Sequence, residues 1–278
     1  MSVTFHRVFE PVCLTTQTTS ALKPGSLIAM TTTVAVAGAT GRLGRLVCEI
    51  VEQTEGFELV SKLTSMSTQA DYEALAVDVL VDVTHPGVSE GIVTAALSRG
   101  INVLVGTSGL SAEKIAQLDS VLATAPEATG VIVVPNFSLG SVLGTALAAA
   151  AAPYFDSVEI VETHHAGKVD SPSGTAVRTA EQISAARAAA ASPRIEAPNS
   201  DQPARGDLIA GIPVHSLRLP GAIAKQEVQF SGEGESLSII HDTTSSDAYR
   251  AGIRAALRVI PAATGVTVGL DSVLGINL

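Results

Sequence analysis

The chain has 278 residues, 46% of them hydrophobic and 16% charged, and a formal net charge of −10. Such a composition excludes a disordered polymer, and the acidic balance excludes a general nucleic-acid binder, although it leaves room for a local basic pocket holding a small anion. Aromatic residues make up only 3% and Trp is absent, so the core is expected to be Ala, Val, Leu and Ile, the composition of buried parallel strands.

Residues 1–29 lack a basic start followed by a continuous apolar stretch, since Glu10 and Pro11 interrupt the one candidate. They read as a disordered extension or as a start assigned ahead of Met30 rather than a secretory signal. No 18-residue apolar run free of Gly, Pro and charge is present, so no membrane span is expected. Cys13 and Cys48 are expected to be free thiols in a reducing, cytoplasmic compartment.

TVAVA (33–37) is a β-branched apolar run, followed by a glycine turn from Gly38 to Gly44 and by RLVCEIVEQ at helical spacing. This order is strand, turn, helix. FELVSKL (57–63) and residues 77–83 read as the next strands, the latter ended by Thr84, His85 and Pro86. A helix closed by Gly100, a strand over INVLV, a helix capped by Ser111 with Glu113 in its first turn, and a strand over GVIVV continue the alternation. Such alternation predicts a doubly wound parallel sheet.

After Asn136 the rhythm changes. SLGSVLGTALAAAAAPYF reads as one long apolar helix, and SVEIVETHH as a strand whose charges mark a wet face. A helix over TAVRTAEQISAARAAAA follows, then a loop over 193–208. IPVHSLRL, AKQEVQFSG and ESLSIIHDT are expected as successive antiparallel strands, and the helix beginning at SSDAYR is expected to return to the first domain. The predicted fold is α/β: a Rossmann-like dinucleotide-binding domain from residues 30–137 and 243–278, and a central α+β substrate-binding domain, 138–242, with a mixed, largely antiparallel sheet.

The glycine turn carries the first functional signal. Gly38, Gly41 and Gly44 let the backbone approach a pyrophosphate, and the following helix start supplies N–H groups and partial positive charge. An acid about 20 residues on would bind ribose hydroxyls and mark NAD; Thr64 stands there, beside neutral Ser65, with Arg42 and Lys62 as cations in reach. The pattern favours NADPH over NADH without excluding the latter.

The second signal is ETHHAGKVDSPSGTA, residues 162–176. His164 and His165 end a strand, Lys168 sits in the loop, and Ser173, Gly174 and Thr175 open a helix whose free N–H groups can grip a carboxylate. Histidines trade protons near neutral pH. No third ligand at zinc spacing joins the histidine pair, so no metal is expected.

Together with VAGATGRLG, DVTHP, VGTSG, VPNFSLG and GIPVHSLRLPG, this stretch closely resembles the dihydrodipicolinate reductase family over nearly the whole chain from Val34. The resemblance implies that His164 is the acid/base residue, that Lys168 donates a proton to the substrate, and that His165, Ser173, Gly174 and Thr175 bind it. It implies that Gly38, Ala39, Thr40, Gly41, Arg42 and Leu43 cradle the pyrophosphate. Gly106, Thr107 and Ser108, with Val134, Pro135, Asn136 and Phe137, would line the nicotinamide side. Ser108 replaces the family's usual second Thr, and Thr64 its acid. The implied reaction reduces a cyclic 4-hydroxy imine dicarboxylate to tetrahydrodipicolinate with loss of water, using NAD(P)H, in lysine and diaminopimelate biosynthesis. A homotetramer formed through the central sheet is implied, and no nucleic-acid or membrane partner. Lys225 is a further candidate cation for the dianionic substrate. The alternative is an NADP-binding regulator without activity. A phosphorylating semialdehyde dehydrogenase needs a cysteine nucleophile, and neither Cys13 nor Cys48 is suitably placed.

Overall fold

The computed structural model describes residues 31–107, 112–126 and 128–276. The N-terminal extension with Cys13, the cofactor candidate Ser108 and the helix cap Ser111 lie outside them.

The first half alternates β1 (Thr32–Ala37), α1 (Arg42–Gln53), β2 (Phe57–Leu63), a short α2 (Gln69–Glu73), β3 (Val79–Asp82), α3 (Pro86–Leu97), β4 (Asn102–Val105), α4 (Ala112–Leu122) and β5 (Gly130–Val133). Every pairing is parallel, in the order β11-β5-β4-β3-β1-β2. The outermost strand, β11 (Gly265–Val268), comes from the far end of the chain. β1, β3, β4 and β5 are apolar runs because both of their faces are covered. Val34 and Val36 enter one core with Val47, Ile50 and Ile253, whereas Ala35 and Ala37 enter the other with Val93, Leu97 and Leu118. Burying each Val, Leu or Ile contributes roughly 1.5–3 kcal/mol. The strand order reverses between β1 and β3, which opens a crevice at their carboxyl ends, the place where such sheets take ligands.

The second half holds α5 (Leu139–Ala151), β6 (Ser157–His164), α6 (Gly174–Ala189), β7 (Asp207–Ile209), β8 (Ile212–Arg218), β9 (Ala224–Gly232) and β10 (Glu235–Thr243). The sheet order is β10-β9-β6-β8-β7. It is mixed, as expected, but two details differ from the sequence reading. β8 does not pair with β9; it lies parallel to β6, which sits between them. The segment read as loop at 193–208 runs into edge strand β7. Three residues long, β7 has no periodicity to read and exists because β8 offers a partner. α7 (Arg250–Val259) returns to the first half, burying Ile253, Ala256 and Leu257 against α1, and α8 (Leu270–Leu274) is the last helix of the described chain.

Alternation along β6 corrects a further point. Glu159 faces outward, but Glu162 shares the inner face with Val158 and Ile160 and is fully buried. The paired strands continue that face: Val214, Ser216 and Arg218 on β8, and Phe230, Val228 and Gln226 on β9. The inner face is thus apolar at one end, under α5 and α6, and polar at the other.

Candidate functional site

At the carboxyl end of β1 the chain turns through Gly38, at φ +84°. A Cβ there would lie 2.6 Å from the Val83 carbonyl oxygen, and one at Gly44 would lie 2.0 Å from that of Gly38. Both glycines are required by close approach of helix to sheet. The amides of Gly38 and Ala39 donate to the Leu63 carbonyl, and that of Gly41 to Gly38. Thr40 and Arg42 are exposed and Leu43 half-buried. No side chain caps α1 and no acid occupies its first turn. The open, positive end of a 12-residue helix in the switch-point crevice therefore fits a dinucleotide phosphate.

Thr64 follows β2, where its amide donates to Ser67 Oγ and its own hydroxyl accepts from the Met66 amide. Lys62 is tied to Glu52 at 2.9 Å on the exposed surface. Arg42, which donates no hydrogen bond among the described residues, remains as the cation at the turn.

The carboxyl ends of β3 and β4 are organised by a buried residue not assigned a role from sequence. Asp82 is fully buried. It accepts from the Ser89 hydroxyl, from the Thr107 hydroxyl at 2.9 Å and from the amide and hydroxyl of Thr84. Thr107 is accordingly turned inward, and Gly106 packs so closely on Phe137 that a Cβ would lie 2.6 Å from the ring. Val134 and Phe137 are also buried in the core, so they shape the crevice rather than present side chains to it. Pro135 and Asn136 are half-buried. Asn136 Nδ2 reaches Ser141 Oγ at 3.0 Å and Thr175 Oγ1 at 3.4 Å, joining the loop after β5 to the start of α6. Beside this junction lies a cavity of about 490 Å3 bordered by Pro135, Asn136, Thr175, Arg178 and Asp271, a volume suited to a small ligand.

At the polar end of the second sheet, His164 Nδ1 lies 2.6 Å from Glu162 Oε2. Period-2 geometry puts these side chains on one face, and the β6–β8 register sets Arg218 opposite His164. Arg218 grips Glu162 through two parallel 2.9 Å bonds and donates to the Asp170 carbonyl at 2.6 Å. The Ser173 amide adds a fourth bond, to Glu162 Oε1 at 3.2 Å. Burial pushes the Glu162 carboxyl up, but the hydrogen bonds from His164, Arg218 and Ser216 outweigh it and hold it at about 2. Glu162 is therefore a carboxylate throughout the neutral range. Neither it nor Arg218 was singled out in the sequence; the glutamate looks like an outward strand charge until β6 is placed in its sheet.

Lys168 pairs with Asp170 at 2.8 Å, and its amide closes a turn onto the His165 carbonyl. Burial raises the Asp170 carboxyl, but Lys168 more than offsets it, so the group stays below the usual carboxylate range. His165 is half-buried in the same turn. Ser173 spends its hydroxyl on the Ala176 amide as the N-cap of α6, having already given its amide to Glu162. The amides of Gly174 and Thr175 have no partner among the described residues. Lys225 is a correction: its register partner is Thr163, on the opposite face of the sheet from His164, and it pairs with Glu227. Arg218 is the cation on the inner face.

Among the described residues, no group of three or more His, Cys, Asp or Glu is placed to hold a metal ion, and no helix is long and apolar enough to cross a membrane. Cys48 is buried and unbridged; burial pushes its thiol up.

Comparison with known proteins agrees with this geometry. The family models described as dihydrodipicolinate reductase, N-terminus and C-terminus, match residues 32–137 and 140–274. The 4-hydroxy-tetrahydrodipicolinate reductase of Clavibacter michiganensis is 54% identical over 248 residues, 89% of this chain and 88% of its own. That of Streptomyces avermitilis is 42% identical, over 88% and 98%. The dipicolinate-bound dihydrodipicolinate reductase of Paenisporosarcina sp. TG-14 superposes with a TM-score of 0.70 at 30% identity, covering 87% of this chain and 99% of that one. A myo-inositol 2-dehydrogenase of Lactobacillus plantarum, 12% identical with a TM-score of 0.57, shares the fold alone.

Proposed function

The chain belongs to the dihydrodipicolinate reductase family, and from that premise we propose that it reduces 4-hydroxy-tetrahydrodipicolinate to tetrahydrodipicolinate, with loss of water, on the route to diaminopimelate and lysine. The observation that carries this reading is convergence: the end of β6 with His164 and the start of α6 meet on Glu162, the loop with Lys168 joins them through Arg218, and Asn136 ties α6 to the crevice of the first sheet.

A bound NADPH or NADH would supply the hydride. The open start of α1, from Thr40 to Leu43, would hold the pyrophosphate, and Gly106 and Thr107 with Val134 to Phe137 would border the nicotinamide side. Arg42 at the glycine turn, with neutral Thr64 after β2 where an acid would mark NAD, favours NADPH; Lys62, held by Glu52, takes no part in that choice. The amides of Gly174 and Thr175 hold one substrate carboxylate at the positive end of α6, and His165 contacts the ring. Lys168 delivers a proton to the substrate, and His164 exchanges a proton through Nε2, which has no partner among the described residues. Lys168, Arg218 and the helix start supply local positive charge for a dianion in a chain that is acidic overall. Residues 30–137 and 243–278 form the nucleotide domain, and 138–242 the substrate and tetramer domain. The outer face of the second sheet, where Leu217 and Ile240 are 45% and 55% exposed, forms the tetramer contact.

The test is to mix purified protein with enzymatically generated substrate and follow oxidation of NADPH and of NADH, for wild type and Lys168→Ala. Wild type should oxidise the cofactor, with NADPH preferred, and the variant should lose turnover by on the order of 10²-fold. No oxidation of either cofactor by folded protein that binds NADPH would overturn the assignment and favour a regulator.

A further inference from the structure

We propose that Glu162, braced by Arg218, is a positioning residue that fixes the tautomer and orientation of His164, a role that rests on the acid–base reading of His164 given above. A carboxylate only accepts hydrogen bonds. At 2.6 Å from Glu162 Oε2, His164 Nδ1 must carry hydrogen, which leaves Nε2 as the nitrogen free to take up or release a proton. An imidazolium formed at Nε2 is then stabilised by the same carboxylate, much as a buried acid orients the base of a catalytic triad.

Arg218 makes the arrangement sustainable. A fully buried carboxylate without a cation is costly, and a bidentate guanidinium removes most of that cost. Every bond to the two Glu162 oxygens comes from a donor: Arg218 Nη2 and the Ser173 amide on Oε1, Arg218 Nη1 and His164 Nδ1 on Oε2, and the Ser216 hydroxyl besides. A glutamine must turn its NH2 group toward two of them, whichever way it is placed. The hub also binds the Lys168 loop, through Arg218 to the Asp170 carbonyl, and the cap of α6, through Ser173. These same donors keep Glu162 ionised and fixed in place beneath His164.

The test is a double-mutant cycle of Glu162→Gln and His164→Ala, with substrate KM, kcat, NADPH binding and thermal unfolding measured for each protein, together with side-chain 15N spectra of His164. Glu162→Gln is expected to lower kcat on the order of 10²-fold, with less than a threefold change in KM or NADPH affinity. In the His164→Ala background it should cost less than threefold more, because a residue that acts through another is silent once that one is gone. His164 should hold its neutral proton on Nδ1 in wild type and lose that preference in the variant. Equal losses in both backgrounds, or an unchanged tautomer, would overturn the positioning role. A His164→Ala enzyme with full turnover would instead overturn the acid–base reading beneath it, and Glu162's part with it. If Glu162→Gln does not fold, Glu162→Asp, which keeps the charge but shortens the reach, goes through the same cycle with the same criteria.

Discussion

The two sheets place polar chemistry in different ways. The first is covered on both faces, so the residues of β1, β3, β4 and β5 are almost all apolar and polar groups are confined to the strand ends, where glycines let helix and sheet close in and leave backbone amides open. The second is covered on one face only. Its strands carry charges along their length, and that freedom lets Glu162 sit on the inner face where the helices leave off. A two-sided sheet makes a ligand site by shaping backbone; a one-sided sheet makes one with side chains.

Glycine substitutions break this comparison most sharply. Gly44→Ala drives a Cβ into the Gly38 carbonyl oxygen, and is expected to cost about 4 kcal/mol or more and to abolish NADPH binding, measured by thermal unfolding and cofactor titration. Gly144→Ala in α5 meets only ordinary contacts at 3.9 Å, and should instead raise stability by up to about 1 kcal/mol through helix propensity. Acid comes next. Glu162 is held at about 2 against an ordinary 4.5, so its contribution is fully present above pH 4.5 and is lost as pH falls through about 2. That contribution is about 3 kcal/mol, and denaturant midpoints measured against pH should show the acid limb flattened in Glu162→Gln. Asp82→Asn places a donor among the hydroxyls of Ser89, Thr84 and Thr107; about 2 kcal/mol should be lost in urea unfolding. The smallest effect belongs to Lys62→Ala. Its pair with Glu52 is more than half exposed, so stability should move by less than about 0.5 kcal/mol, and the NADPH/NADH ratio should not change.

Long, strongly periodic features were readable in advance. β2, β9 and β10 lie where their patterns predicted, α7 packs back on α1, and the glycine turn joins a strand to a helix. Short elements were not. α2, β7 and β11 have three to five residues each, too few to show a period, and β11 forms only because β5 presents an open edge. The histidine pair, Lys168 and the helix start were legible because they are contiguous. Arg218 was not, because it lies 54 residues from His164 in sequence and meets it only through strand register.

By itself, then, the sequence determined the family, the alternation that demands a parallel sheet, and the residue types at the glycine turn and at the turn after His164, since local spacing and chemistry carry all of these. The tertiary structure alone decided which face each strand charge occupies, that β8 runs beside β6, and that Arg218 rather than Lys225 stands on the inner face with Glu162 and His164. The physical reason is parity: adjacent strand residues point to opposite faces, so one buried carboxylate becomes a hub or a surface charge according to pairings made far away along the chain.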